Sequence, residues 1–175
     1  MNDKIIQELI SLNKKYVDEN SSELKKYLSG QNPKIAVLTC ADSRVVPEFI
    51  FKKNLGELFV VRVAGNVAMD SSVITSLEYA VDHLNVSHLI ILGHTYCGAV
   101  KASEESKDDS IALFEEIKKG FSLNHDHIIG NVKRQYDVLF QRSDIILKAV
   151  KDDKLKIVCA IYNLESGFVD FLDFN

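Results

Sequence analysis

A chain of 175 residues is long enough for one domain with a full hydrophobic core and too short for two ordinary ones. Hydrophobic residues make up 46% and charged residues 26%, with two prolines, a globular balance that excludes the disordered and fibrous classes. The formal charge of -4 speaks against a nucleic-acid partner, because phosphate-binding surfaces cluster Lys and Arg, whereas Lys14-Lys15, Lys25-Lys26 and Lys52-Lys53 are flanked by acids and read as solvated faces.

The opening stretch MNDKIIQELI lacks the basic region and unbroken apolar core of a secretory signal, and no later segment reaches the length needed to span a bilayer. The expectation is a cytoplasmic protein with no membrane partner. From about Asp3 to Leu28, apolar residues at Ile5, Ile6, Leu9, Ile10, Leu12, Tyr16, Val17, Leu24 and Leu28 fall mostly at helical spacing. This predicts a helix with a break near Asn20-Ser21-Ser22, where a second helix finds a cap.

Short apolar runs rich in Val and Ile follow at Ile35 to Thr39, Leu58 to Val63, His88 to Leu92 and Leu155 to Ile161. They show little alternation, as expected of strands covered on both faces in a parallel sheet. Helical patterns lie between them at Pro47 to Lys53, at Ser71 to Leu84 with its stripe Leu77, Ala80, Val81 and Leu84, and from about Ile111 to Lys151. Ser103 to Ser110 reads as a charged loop, and the tail from Gly167 to Phe174 as a last strand, antiparallel at an edge. The alternation predicts an α/β fold: a mainly parallel central sheet of four to five strands, flanked by helices and linked by right-handed crossovers.

Chemistry concentrates at two strand ends. The run KIAVLTCADSR puts Cys40 where the first strand stops, and HLIILGHTYC puts His94 where the third stops, with Cys97 three residues on. Ligands of open α/β sheets bind along the carboxyl edge, where the strand-to-helix loops converge. Two thiolates and an imidazole form a soft N/S set suited to Zn²⁺, and three protein ligands with one open position is the pattern of a catalytic site. Read alone, H-x-x-C fits core packing equally well, Asp42 or Ser43 fits a helix cap, and Arg44 fits a surface arginine. Cys159 lies inside the apolar run KIVCAIY and reads as a buried free thiol rather than a fourth ligand. An odd count of three cysteines does not suit a secreted disulfide framework.

Cys40-Ala41-Asp42-Ser43-Arg44 together with His94-Thr95-Tyr96-Cys97 resembles the C-x-D-S-R and H-x-x-C pair of the β-class carbonic anhydrases. The likeness extends through PEFIF, GELFVVRVAGN, SLEYAVDHL and CAIYNLESG, from Gln31 to Gly167. It implies one carbonic anhydrase-like domain over 1–175, with an N-terminal helical segment at 1–29 and a zinc-binding α/β core at 31–175. It also implies zinc held by Cys40, His94 and Cys97, water as the fourth ligand, and reversible hydration of CO₂ to bicarbonate. In the family pattern Asp42 and Arg44 form the catalytic dyad, and Gln31, Phe59, Ala64, Tyr79 and the backbone of Gly98 correspond to the substrate pocket. The family pattern further implies a homodimer or homotetramer in which the N-terminal helix packs on a partner subunit. Some members carry an allosteric bicarbonate pocket with a tryptophan; here Val37 takes that position, while Arg62 and Tyr162 remain. Two other readings stay open: a hydrolase of carbonyl sulfide or carbon disulfide on the same scaffold, and a non-catalytic zinc or thiol sensor.

Overall fold

The computed structural model describes residues 3–108 and 110–173. These fall into two compact units, one ending at Gln31 and one beginning at Asn32. The first is a single helix, α1 (Lys4–Lys26), started by Asp3, whose carboxylate accepts from the amides of Ile5 and Ile6. The break expected near Asn20 does not occur. Asn20 instead donates its side-chain amide to the Tyr16 carbonyl at 2.8 Å, one turn back, so its polar group is satisfied without leaving the helix. No residue of α1 is buried, and Ile5, Leu9, Ile10, Leu12, Tyr16 and Val17 are all exposed.

The second unit is a five-stranded sheet in the order β2-β1-β3-β4-β5. Strands β1 (Ile35–Cys40), β2 (Leu58–Val63), β3 (His88–His94) and β4 (Lys156–Tyr162) run parallel, and β5 (Val169–Leu172) closes one edge antiparallel to β4. All four expected parallel strands appear within two residues of their sequence bounds. The expected tail strand forms over Val169–Leu172; Phe174, included in that expectation, lies outside the described residues. Helices α2 (Pro47–Ile50), α3 (Ser71–Asp82), α4 (Gly98–Glu105), α5 (Ala112–Lys118), α6 (His127–Arg142) and α7 (Asp144–Lys151) fill the connections. The charged loop expected from Ser103 is in part helix. Ser103 is fully buried in α4 and donates to the Val100 carbonyl at 2.7 Å, which offsets the cost of its hydroxyl in the core. Among the described residues no helix is long and apolar enough to cross a membrane.

The period-two geometry of a strand sends Ala36, Leu38, Leu89 and Ile91 into one core, where Leu77 and Ala80 of α3, Val132 and Leu139 of α6 and Ile146 of α7 meet them. Val37, Ile90 and Leu92 point the other way, against Val45, Leu58, Ile50 and Phe51. Each fully buried Leu or Ile contributes about 1.5–3 kcal/mol, so both faces must be covered for strands this apolar to be stable. The caps agree with the chain reversals: Asp126 accepts from the amides of Ile128 and Ile129 to start α6, and Ser143 from Ile146 to start α7.

Gly93, one residue before the end of β3, marks a tight approach of helix to sheet. A Cβ there would stand 2.6 Å from Val132 Cγ2 and 3.0 Å from Ile161 Cδ1. Gly93→Ala is therefore expected to lower stability by about 1–3 kcal/mol through overpacking. Urea unfolding followed by circular dichroism measures it, and an unchanged midpoint would show that α6 yields freely.

Candidate metal centre

Strands β1 and β3 are parallel neighbours with Thr39 opposite Leu92, so Cys40 and His94 leave the sheet at the same edge. Thr39 Oγ1 donates to the Leu92 carbonyl at 2.9 Å and ties the two strands together just below that edge. The chain then turns back through Thr95 and Tyr96 and starts α4 at Gly98, with Cys97 as its N-cap residue. Tyr96 takes φ 56°, a left-handed turn that brings Cys97 back over the strand end. In consequence the Sγ atoms of Cys40 and Cys97 and a ring nitrogen of His94 all lie within 4.8 Å of one another, and all three residues are buried. Val67, Val100 and Ile117 pack around the two thiols, making the surroundings apolar.

The hydrogen bonds of His94 decide which nitrogen faces the thiols. Nδ1 lies 2.9 Å from the Thr95 carbonyl, which can only accept, so Nδ1 carries the proton and Nε2 keeps its lone pair. That Nε2 is buried and has no hydrogen-bond partner. A buried acceptor without a partner costs about 1–3 kcal/mol, and a cation between the three side chains would supply one. The thiols make the same case. The cysteine sulfurs are 4.0 Å apart and form no disulfide. Cys40 is drawn well below the ordinary thiol range, first by the neighbouring Cys97 and then by His94 and the amides of Asp42 and Gly65, against the effect of burial. Cys97 is pushed up by the adjacent Cys40 and by burial. The pair thus gives up one proton readily and the second with difficulty, and a divalent cation is what favours both thiolates at once. Donor type, number and burial all fit a soft divalent metal.

Asp42 stands beside this group, with Oδ2 3.9 Å from His94 Nε2. Arg44 clamps it: Nε donates to Oδ1 at 3.0 Å, Nη2 to Oδ2 at 2.8 Å, and the Arg44 amide to Oδ1 at 2.9 Å. These charge-assisted bonds hold the Asp42 carboxyl well below the usual carboxylate range, against partial burial. Arg62 braces the same turn from β2, donating to the carbonyls of Cys40 at 3.3 Å and Asp42 at 2.7 Å. Arg62 is thus engaged with backbone, and Val37 is fully buried in the sheet.

Phe59 and Tyr79 meet, with ring centroids 6.2 Å apart, and Tyr79 stacks on His83 at 5.1 Å. Ala64, directly after β2, and Gly98, at the start of α4, are exposed on segments adjoining the cysteines. Gln31 is exposed at the end of the N-terminal unit. Two contributors have no motif in the sequence: the Gly65 amide, which donates to Cys40 Sγ at 3.4 Å, and the left-handed Tyr96. Only the glycine in the block VRVAGN hinted at the first.

A family model described as carbonic anhydrase matches residues 35–169, a range that includes Cys40, His94 and Cys97. The chain belongs to the β-class carbonic anhydrases. It is 36% identical over 154 residues to carbonic anhydrase 2 of Mycobacterium tuberculosis, covering 79% of this chain and 74% of the relative. The crystal structure of the β-carbonic anhydrase CafA of Aspergillus fumigatus is similar with a TM-score of 0.82, at 28% identity over 98% of this chain and 91% of that one. A tetrameric β-carbonic anhydrase from Sordaria macrospora shares the fold with a TM-score of 0.79, at 21% identity over 97% of this chain and 98% of that one. The chain is thus a member of an enzyme family, and its Cys40, His94 and Cys97 form a group that could hold a metal ion.

Cys159 lies apart from this centre, in the sheet core, and burial pushes its thiol up to about 12. Cys159→Ala is expected to keep the wild-type metal content by plasma mass spectrometry, while Cys40→Ser and His94→Ala lose most of it. Loss of metal in Cys159→Ala would make it a ligand after all.

Proposed function

We propose that this carbonic anhydrase catalyses the reversible hydration of CO₂ to bicarbonate and a proton, with zinc held by Cys40, His94 and Cys97. The observation that carries the reading is the unpartnered Nε2 of His94 among two buried thiols, with an ionised carboxylate 3.9 Å away. Zinc in such a donor set supplies Lewis acidity, which in the best-known sites lowers the pKa of water from 15.7 to about 7.

The chain's own residues then have definite work. Arg44 donates two bonds to Oδ1 of Asp42 and one to Oδ2. A carboxylate offers roughly four lone-pair sites, so one remains, on Oδ2, the oxygen nearest His94. Because Arg44 keeps Asp42 ionised, that oxygen can only accept. It takes the O–H of a reacting water, orients the water's lone pair toward the substrate carbon, and discriminates against any species without a proton to give. Phe59, Ala64, Tyr79 and the Gly98 amide are assigned to the substrate pocket, and Gln31 is assigned as an amide donor to a substrate oxygen. CO₂ is small and apolar, and a pocket of aromatic rings and small residues with few donors suits it. The contact of the partly exposed Phe59 and Tyr79 rings supports this lining.

A sensor would not need a threefold clamp on Asp42, so that clamp favours the enzyme reading. An odd count of three cysteines, none of them paired, supports a reducing, cytoplasmic compartment. A 23-residue helix with no buried residue and a row of exposed apolar side chains supports a homodimer or homotetramer in which α1 packs on a partner subunit.

Stopped-flow CO₂ hydration, read beside zinc content from about pH 6 to 9, tests the reaction. Asp42→Ala is expected to retain zinc and lose roughly 10²–10⁴-fold in kcat/KM, the range for a positioned proton acceptor. Normal hydration by that variant would overturn the role of Asp42, and turnover of carbonyl sulfide or carbon disulfide without CO₂ would reassign the substrate. Analytical ultracentrifugation at micromolar concentration is expected to show a dimer or tetramer; a monomer would refute the assembly.

A further inference from the structure

We propose that Asn131 and Gln135 of α6 are positioning residues for the metal centre, acting through the backbone of Gly65; the proposal rests on the metal-site reading above. Both amides are buried, at 1% and 0% exposure, in a helix face otherwise made of Gly130, Val132, Val138 and Leu139. They stand one turn apart and are bonded to each other, Gln135 Nε2 donating to Asn131 Oδ1 at 3.0 Å. Their remaining bonds go to one loop. Asn131 Nδ2 donates to the Gly65 carbonyl at 2.8 Å, and Gln135 Oε1 accepts from the Ala68 amide at 2.8 Å. The amide of Gly65 donates to Cys40 Sγ at 3.4 Å. Hydrogen bonds from the interior of α6 therefore hold the carbonyl of Gly65, and the amide of the same residue, in the preceding peptide, meets the sulfur of Cys40.

The loop needs such anchoring. Gly65 and Asn66 take φ 64° and 48°, two consecutive left-handed residues, and Asn66 has a Cβ that disfavours the conformation. From the opposite side Ile117 closes on the glycine: a Cβ on Gly65 would stand 2.8 Å from its Cδ1. Apolar side chains of the same volume on α6 would fill the core without two amides to desolvate. What the amides supply is a fixed direction for the Gly65 carbonyl and for the loop up to Ala68, which limits how the preceding peptide, with the Gly65 N–H, can turn away from Cys40. An N–H aimed at a thiolate draws charge from the sulfur. In a site where two thiolates balance the charge of the metal, that donor keeps the cation more electrophilic and the ligand pre-oriented.

The test compares wild type with Asn131→Ala, Gln135→Met and, as a control, Val138→Ala, which opens a cavity in the same helix without touching the hydrogen-bonded series. Two quantities are read: zinc affinity by competition with a chromophoric chelator, and the sulfur-to-metal charge-transfer band of the cobalt-substituted protein. A thiolate that has lost its N–H donor is easier to oxidise, so the band should move to longer wavelength in Asn131→Ala and Gln135→Met. Zinc affinity should fall by about 10–100-fold, the usual effect of removing support behind a ligand. Val138→Ala should leave both unchanged even where its Tm falls as far. If Asn131→Ala does not fold, Gln135→Met decides, since it keeps the volume and cuts the series one link further out. An unmoved band with wild-type affinity, or a Val138→Ala control that reproduces both changes, overturns the proposal. A wild type that binds neither zinc nor cobalt removes the metal centre itself, whereas wild type and variants binding metal equally remove only the role of Asn131 and Gln135.

Discussion

Parallel pairing of β1 with β3 is the constraint on which the site depends, since residues 54 positions apart, Cys40 and His94, reach one edge only because the two strands are neighbours running the same way. Antiparallel pairing would set them at opposite ends of the sheet. The pairing is in turn secured by apolar side chains on both faces, which no isolated pair of strands could bury. Catalytic geometry and core packing are thus one problem here: the hydrophobic cover that stabilises the sheet also delivers a thiol and an imidazole to the same point.

Around that point the structure is arranged for charge. The two cysteines act on each other first, drawing Cys40 down and pushing Cys97 up, and burial by Val67, Val100 and Ile117 adds to the cost of a second thiolate. A cation held there would remove that cost and give His94 Nε2 a partner. Asp42 represents the opposite solution. Arg44 stabilises its charge permanently, so the carboxylate stays an acceptor through the neutral range. The site joins a set of donors that await a cation to an acid whose ionisation is already secured.

The fold was largely legible because its strands are short, β-branched and bounded by turns, while its helices carry clear stripes. The misjudged segments have local physical reasons. Asn20 looked like a helix break, yet a side-chain bond to Tyr16 satisfies it inside α1. Ser103 looked like the start of a polar loop, yet its hydroxyl returns to the Val100 carbonyl and lets it be buried. In both cases a polar residue meets its needs within its own helix, an option that composition does not distinguish from a cap or a loop.

Residue pattern by itself determined the α/β class and put Cys40, His94 and Cys97 forward as donors at strand ends, while the resemblance of the C-x-D-S-R and H-x-x-C blocks to the β-class carbonic anhydrases is what singled out that set and the Asp42–Arg44 pair. Only the tertiary structure decided which nitrogen of His94 is free, that Arg62 of β2 braces the Cys40–Asp42 turn, and that the Gly65 amide reaches the Cys40 sulfur. Those contacts join residues from separate elements through backbone atoms, and a backbone amide or carbonyl is the same at every position of a sequence until the fold gives it a direction.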